Sequence, residues 1–247
     1  MQRAHQILDP RRPFIADDLC ALAIMTKAPR AGQVKTRLVP PLTPEEAAQL
    51  NTCFLRDTAA AITGVGPSKA RGVGVYTPAG SEEAYREILP ADFQLLPQRG
   101  HEFGERLRLA ADDLFQCGFS SVCLIDSDSP TIPAENYTKG VELLSGPGDT
   151  VVLGPSDDGG YYLIGMKRPH PELFERIDWS TERVFDQTLE RARELNLQIS
   201  LLPVGYDVDD AAALRRICHE LFTNHSNDNT APNTRSFLMD LTRSKAI

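Results

Sequence analysis

Strand-like apolar runs and helix-like amphipathic segments alternate along the chain. Residues 19–26 (LCALAIMT) form a continuous apolar run, the pattern of a strand covered on both faces. Thr43, Pro44 and Glu46 then make a capping box with proline at the first helical position. Ala47, Leu50, Phe54, Leu55 and Ala59 follow at helical spacing, which predicts a helix to about residue 62. The same reading predicts strands over 73–76, 93–96, 121–125, 150–153, 161–166 and 199–202. Helices are predicted over 81–89, 103–115, 134–144, 181–195 and 210–222, the fourth capped by Thr181. Strands separated by helices imply parallel βαβ units with right-handed crossovers. The short Gly159-Gly160 connection makes 161–166 an expected antiparallel insertion. Residues 223–235 are polar, rich in Asn and Ser, and expected to be disordered. The expected organisation is one α/β domain over 19–222, between an N-terminal tail (1–18) and a polar C-terminal tail (223–247).

Composition narrows the class. With 41% hydrophobic and 24% charged residues, the 247-residue chain is not collagen-like, coiled-coil or wholly disordered. No apolar run approaches the roughly 20 residues that span a bilayer. The 26 Lys and Arg against 34 Asp and Glu give a net charge of −8, which disfavours nucleic acid and anionic membrane as partners. An anionic ligand must then meet a local basic patch. Cys20, Cys53, Cys117, Cys123 and Cys218 are never spaced as C-x-x-C, and residues 1–18 hold no apolar core of signal-peptide length. They read as thiols of a reducing compartment, and cytoplasm is the expected location.

In open α/β sheets ligands sit beyond the carboxyl ends of the strands, so the loops there carry the chemistry. The first, 27–37, holds Lys27, Arg30, Lys35 and Arg37 and no acid. Arg30 and Arg37 suit bidentate phosphate contacts, Lys35 supplies a point charge, and Gly32 lets the backbone approach an anion. Pro29 and Val34 stand where a Walker A loop needs glycine, which rules out a P-loop. The second loop carries Asp126 and Asp128, whose i, i+2 spacing puts two carboxylates on one side of an extended chain, a set suited to one Mg²⁺ or Mn²⁺. Ser127 and Ser129 stand ready to hydrogen-bond them.

The third loop, Asp157-Asp158-Gly159-Gly160, offers a carboxylate to the cleft, with Asp158 the favoured one, and two glycines that allow close approach of a sugar. A hairpin turn explains the same segment. The fourth holds Asp207 and Asp209, candidate metal ligands, while Asp209 or Asp210 also suits the N-cap of the last helix. Trp179, the single tryptophan, suits stacking on a substrate or a buried aromatic anchor equally well.

The ordered set KAPRAGQVKTRL (27–38), GERL (104–107), SDSPTIP (127–133), GPSDDGGYYLIG (154–165), WST (179–181) and DVDD (207–210) resembles the bacterial selenodomain-associated or arsenosugar-biosynthesis-type glycosyltransferases. These are similar to the GT-A nucleotide-diphospho-sugar transferase superfamily, which includes molybdenum-cofactor guanylyltransferases and phospholactate guanylyltransferase. The resemblance implies a Rossmann-like three-layer α/β/α GT-A fold with a mostly parallel sheet. It implies a divalent cation and either a nucleotide-diphospho-sugar or an NTP as partner to a small-molecule acceptor. The family often has glycine where Asp126 stands, so Asp128 is the firmer metal ligand. Asp158 would orient the acceptor or act as general base. Glycosyl transfer is the expected reaction; nucleotidyl transfer to a phosphorylated acceptor and non-catalytic nucleotide binding are the alternatives.

Overall fold

The computed structural model describes residues 4–12, 18–223 and 229–245. Its centre is an eight-stranded sheet in the order β1-β4-β3-β2-β5-β7-β6-β8. The strands are β1 (Gln6–Ile7), β2 (Cys20–Lys27), β3 (Ala70–Thr77), β4 (Gln94–Pro97), β5 (Ser121–Ile125), β6 (Thr150–Pro155), β7 (Tyr161–Met166) and β8 (Gln198–Leu201). All pairings are parallel except those of β7, which runs antiparallel to both β5 and β6. The antiparallel insertion expected from the glycine pair is therefore present, and the fold is a three-layer α/β/α sandwich.

Alternation along β2 shows how the layers form. Leu22 and Ile24 face one side with Leu55, Ala59 and Tyr137, and Ala21 and Ala23 face the other with Leu107, Ala110 and Leu114. Both faces are dry, which is why 19–26 reads as an unbroken apolar run. The first layer holds α1 (Pro44–Thr63) and α3 (Ala134–Ser145); the second holds α2 (Phe103–Gln116) and α4 (Val184–Glu194). The capping box of α1 is formed as predicted, with Thr43 Oγ1 accepting from the Glu46 amide and Glu46 Oε2 from the Thr43 amide. A third apolar cluster joins Leu38, Leu42, Leu50 and Phe54 to α5 (Ala211–Thr223) and α6 (Pro232–Lys245).

Four expectations need correction. The 81–89 helix is only a 3₁₀ turn, Glu82–Tyr85. Helix α4 starts at Val184 rather than at Thr181, whose hydroxyl instead donates to the Asp178 carbonyl within the preceding turn. Part of the N-terminal tail extends the sheet, because β1 pairs with β4. The polar tail is not all tail: 224–228 lie outside the described residues, but Pro232 opens α6 within the stretch expected to be disordered. Asp57 of α1 holds the start of that helix, accepting from the amides of Asn233 and Thr234 at 3.0 and 2.8 Å. Among the described residues no helix is long and apolar enough to cross a membrane.

Candidate active site at the switch point of the sheet

From β2 the chain winds outward through β3 to β4, then crosses back to β5 on the opposite side of β2. The crevice between the carboxyl ends of β2 and β5 is thus the topological switch point, where an open α/β sheet leaves room for a ligand. The loops after β2, β5, β6 and β8 all converge there.

At its middle stands Lys35. Its ammonium lies 2.8 Å from Asp128 Oδ1 and 2.7 Å from Asp209 Oδ1, and donates to the Val208 carbonyl at 2.9 Å. The side chain is 3% exposed, and Nζ lies 5.4 Å from the centre of the Phe54 ring. Burial pulls the lysine pKa down, but the two carboxylates overcome it and hold it above the usual value. Lys35 also sits in the left-handed region at φ 49°, a conformation that costs a non-glycine residue about 1 kcal/mol or more and that accumulates at functional sites.

A cleft of about 520 Å³ opens on the β5–β7 side, with Asp126, Asp128, Asp158, Asp207 and Asp209 in its lining and Arg37 at its rim. Ser129 Oγ donates to Asp126 Oδ2 at 2.6 Å and Ser127 Oγ to Asp128 Oδ1 at 3.0 Å, as the sequence suggests. Asp126 Oδ1 is buried without a hydrogen-bond partner. Burial, then the charge of Asp128, pushes Asp126 well above the ordinary carboxylate range. Burial, followed by the charges of Asp209 and Asp158, pushes Asp207 up to about 7. Such a cluster favours a cation, and its hard oxygen donors with an orphaned Asp126 oxygen fit Mg²⁺ or Mn²⁺. Among the described residues no three Asp, Glu, His or Cys side chains form a ready-made metal cage, so substrate oxygens and water would complete any shell.

The remaining predicted residues fall into distinct places. Asp158 lines the cleft while its Oδ1 accepts from the Gly160 amide, closing the tight turn between β6 and β7. Asp157 points away from this cleft: it pairs with Arg216 at 2.5 Å in an adjoining hollow that Asp158, Asp207 and Asp209 share. Gly160 lines the cleft, but Gly159 does not offer its face to a ligand. At φ 89° it packs against backbone, and a Cβ there would overlap the Glu182 carbonyl oxygen. Trp179 is half-buried: it lines the cleft while packing over Gly104 and edge-on to Phe103 at 5.3 Å. Lys27, Lys35 and Arg37 line a second, net-basic hollow of about 250 Å³, whose wall also holds Asp128 and Asp209. Arg30 and Gly32 sit on the exposed outer turn of the loop and border none of the three hollows. Asp210, not Asp209, caps α5, accepting from the Ala212 and Ala213 amides at 2.8 Å.

Three contributors escape the sequence reading: Asn51 in the basic hollow, Ser156 in the cleft and Arg216 beside Asp157. Asn51 carries a usable signal, being a polar residue next to Leu50 and one turn before Phe54 on the apolar face of α1.

The fold is the Rossmann-like α/β fold of nucleotide-diphospho-sugar transferases. A protein from Desulfovibrio desulfuricans G20, a candidate nucleotide-diphospho-sugar transferase, superposes with a TM-score of 0.81 at 28% identity, over 92% of this chain and 96% of its own. A nucleotidyl transferase from Methanothermobacter thermautotroptrophicus shares the fold at TM-score 0.52 and 15% identity, covering 84% of this chain and 100% of its own. CMP:2-keto-3-deoxy-manno-octonic acid synthetase, solved with CTP, does so at 0.50 and 12%, covering 81% and 96%. Residues 68–181 match the family described as "Uncharacterized protein conserved in bacteria (DUF2064)". No curated protein matches the chain.

Proposed function

We propose that the chain is a divalent-cation-dependent glycosyltransferase that uses a nucleotide-diphospho-sugar donor, of the selenodomain-associated or arsenosugar-biosynthesis type that its motifs resemble. The observation that carries this reading is the Lys35–Asp128–Asp209 cluster, which joins the basic loop to the acidic loops at the switch point. The similarity to the Desulfovibrio protein supports it.

The leaving group in such a reaction is a nucleoside diphosphate, whose charge grows as the glycosidic bond breaks. Arg37 and Lys27, exposed at the basic hollow, would meet the phosphate oxygens, and Lys35 would add its charge from beneath. Arg30 and Gly32, on the exposed outer turn of the same loop, would meet the anion before it enters. Asp128 and Asp209, with Asp126 and Asp207 behind them, would hold Mg²⁺ or Mn²⁺. A bound divalent cation supplies charge stabilisation at the diphosphate. On the other side of the cleft Asp158 would orient the acceptor hydroxyl or take its proton, and Gly160 and Trp179 would border the sugar. Asp157 would act on the acceptor through the adjoining hollow, where its pairing with Arg216 fixes its direction.

The test is product analysis across a panel of nucleotide-sugars with Mn²⁺. Release of a nucleoside diphosphate supports the proposal. Release of pyrophosphate from NTPs establishes nucleotidyl transfer instead, and no turnover with any donor leaves a nucleotide-binding protein.

A further inference from the structure

The two ends of the cleft differ in chemistry. Lys35, at the phosphate end, lies against Phe54 of α1, in the first helix layer. Across the edge of the sheet the wall belongs to the second layer, where Met25, Tyr161 and Trp179 pack on that layer's apolar cluster and Phe103 opens α2. Phe103 is 50% exposed, and among the described residues it is the one large exposed apolar side chain that lines this cleft. A single apolar side chain at a surface needs no explanation, but this one belongs to a built wall. Trp179, edge-on to it, fits only because residue 104 is glycine, since a Cβ there would overlap the indole Nε1. The turn that carries Trp179 is tied down at Asp178, whose carboxylate accepts from Gln187 Nε2 at 2.8 Å and pairs with Arg183 at 2.6 Å. Two aromatic rings are thus held in place at the mouth of a cleft that is otherwise rich in carboxylates.

Charge limits what can lie against them. The cleft lining holds six carboxylates, the five aspartates and Glu182, and one cation, Arg37. Arg37, Lys35 and a bound divalent cation are all drawn to the donor's diphosphate, whose charge offsets theirs. Among the described residues the second-layer wall then has no cation for a phosphate or carboxylate on the acceptor. We propose that Phe103 selects the acceptor, an alcohol that bears an apolar ring and no negative charge. The ring lies on Phe103, Trp179 borders both it and the sugar, and the hydroxyl reaches Asp158. In the transfer the hydroxyl oxygen bonds to the anomeric carbon and the bond from that carbon to the diphosphate breaks. The nucleoside diphosphate leaves with the electron pair, and the hydroxyl proton passes to Asp158. This rests on the glycosyltransferase reading above and deepens it by naming the acceptor class.

Trp179 is the only tryptophan of the chain, so its fluorescence reports occupancy of this wall. The test titrates wild type, Phe103→Ala and Phe103→Leu with phenyl glucoside, glucose and glucose 6-phosphate. It then measures nucleoside diphosphate release to each acceptor from a panel of nucleotide-sugars with Mn²⁺. Wild type is expected to bind phenyl glucoside at least about tenfold more tightly than glucose, and glucose 6-phosphate no better than glucose, with the same order in kcat/KM. Phe103→Ala is expected to bring phenyl glucoside close to glucose, and Phe103→Leu to keep part of the preference. Phe103 is half-exposed in the first turn of α2, so both variants are expected to fold. A purely structural role lowers binding of both sugars and leaves their ratio unchanged, which overturns the proposal. So does a wild type whose Trp179 emission does not respond to phenyl glucoside, or one that prefers glucose 6-phosphate. Failure of this pattern while nucleoside diphosphate is still released overturns the acceptor assignment alone. The expected binding pattern with no release from any donor overturns the glycosyltransferase reading, and the acceptor assignment with it.

Discussion

Lys35 and Asp209 meet at 2.7 Å although 174 residues separate them, and that contact ties the first loop of the sheet to the last. From sequence the lysine is expected to stand free for phosphate; instead it neutralises two carboxylates assigned to a cation. Lys35→Met leaves Asp128 and Asp209 facing each other without a counter-charge. Both carboxylates are partly exposed, at 30% and 42%, so solvent softens the penalty. The variant should lose about 1–3 kcal/mol in urea unfolding, below the full cost of breaking a deeply buried pair. Its nucleotide affinity should fall at least about tenfold, while Lys35→Arg should keep more of both.

The Asp57–Thr234 contact predicts a second, independent effect. Asp57 accepts from the backbone amides of Asn233 and Thr234 and from both of their side chains, and so caps α6 from a distant helix. Asp57→Ala should destabilise the protein by about 2–4 kcal/mol, since four donors lose a charged acceptor and two of them belong to the helix start. Nucleotide binding should be nearly unchanged under conditions where the variant stays folded. A variant as stable as wild type would show that α6 is held by its apolar contacts alone.

Asp207 predicts a pH dependence whose sign is fixed. Its folded pKa, about 7, lies above the ordinary 3.8, so between these values the folded state binds more protons than the unfolded one. Stability from this group is therefore present at low pH and declines as pH rises through that window. Asp207→Asn should flatten the decline between about pH 4 and 7 in thermal unfolding. Added Mn²⁺ should also reduce it, because the cation favours the ionised carboxylate.

Gly159→Ala tests the wall of the cleft. The positive φ, and the Glu182 carbonyl that a methyl group here would overlap, leave no room for alanine. The substitution should cost about 2 kcal/mol or more and shift the 180–182 segment that borders the cleft. Circular dichroism melting and donor affinity should both report it. Gly160→Ala, free of a positive φ, should be milder.

How far the sequence is readable follows from where the information lies. β2, β5, β7, α1 and α2 are visible because their signals are local: unbroken apolar runs, a Thr43–Glu46 capping box, a regular helical stripe. The carboxylates at the strand ends are visible for a topological reason, since a parallel sheet places every such loop at one edge. Helix α6 is not visible, because its cap comes from Asp57 and its apolar residues are few: Phe237, Leu238 and Leu241, which meet the third cluster, and the exposed Met239. Strand β1 is hidden because two residues, Gln6 and Ile7, gain strand geometry only by pairing with β4. The role of Gly159 is hidden for the same reason: a double glycine says that something comes close, not whether it is a ligand or the backbone of Glu182.

The central claim is that basic and acidic loops act on one diphosphate together, and calorimetry on Asp128→Asn tests it most directly. Wild type should bind a nucleoside diphosphate in the presence of Mn²⁺ and lose at least about tenfold in affinity when EDTA replaces it, the scale expected for a lost ligand to the cation. Asp128→Asn should bind weakly in both conditions. Undiminished Mn²⁺-dependent binding by Asp128→Asn would contradict the account.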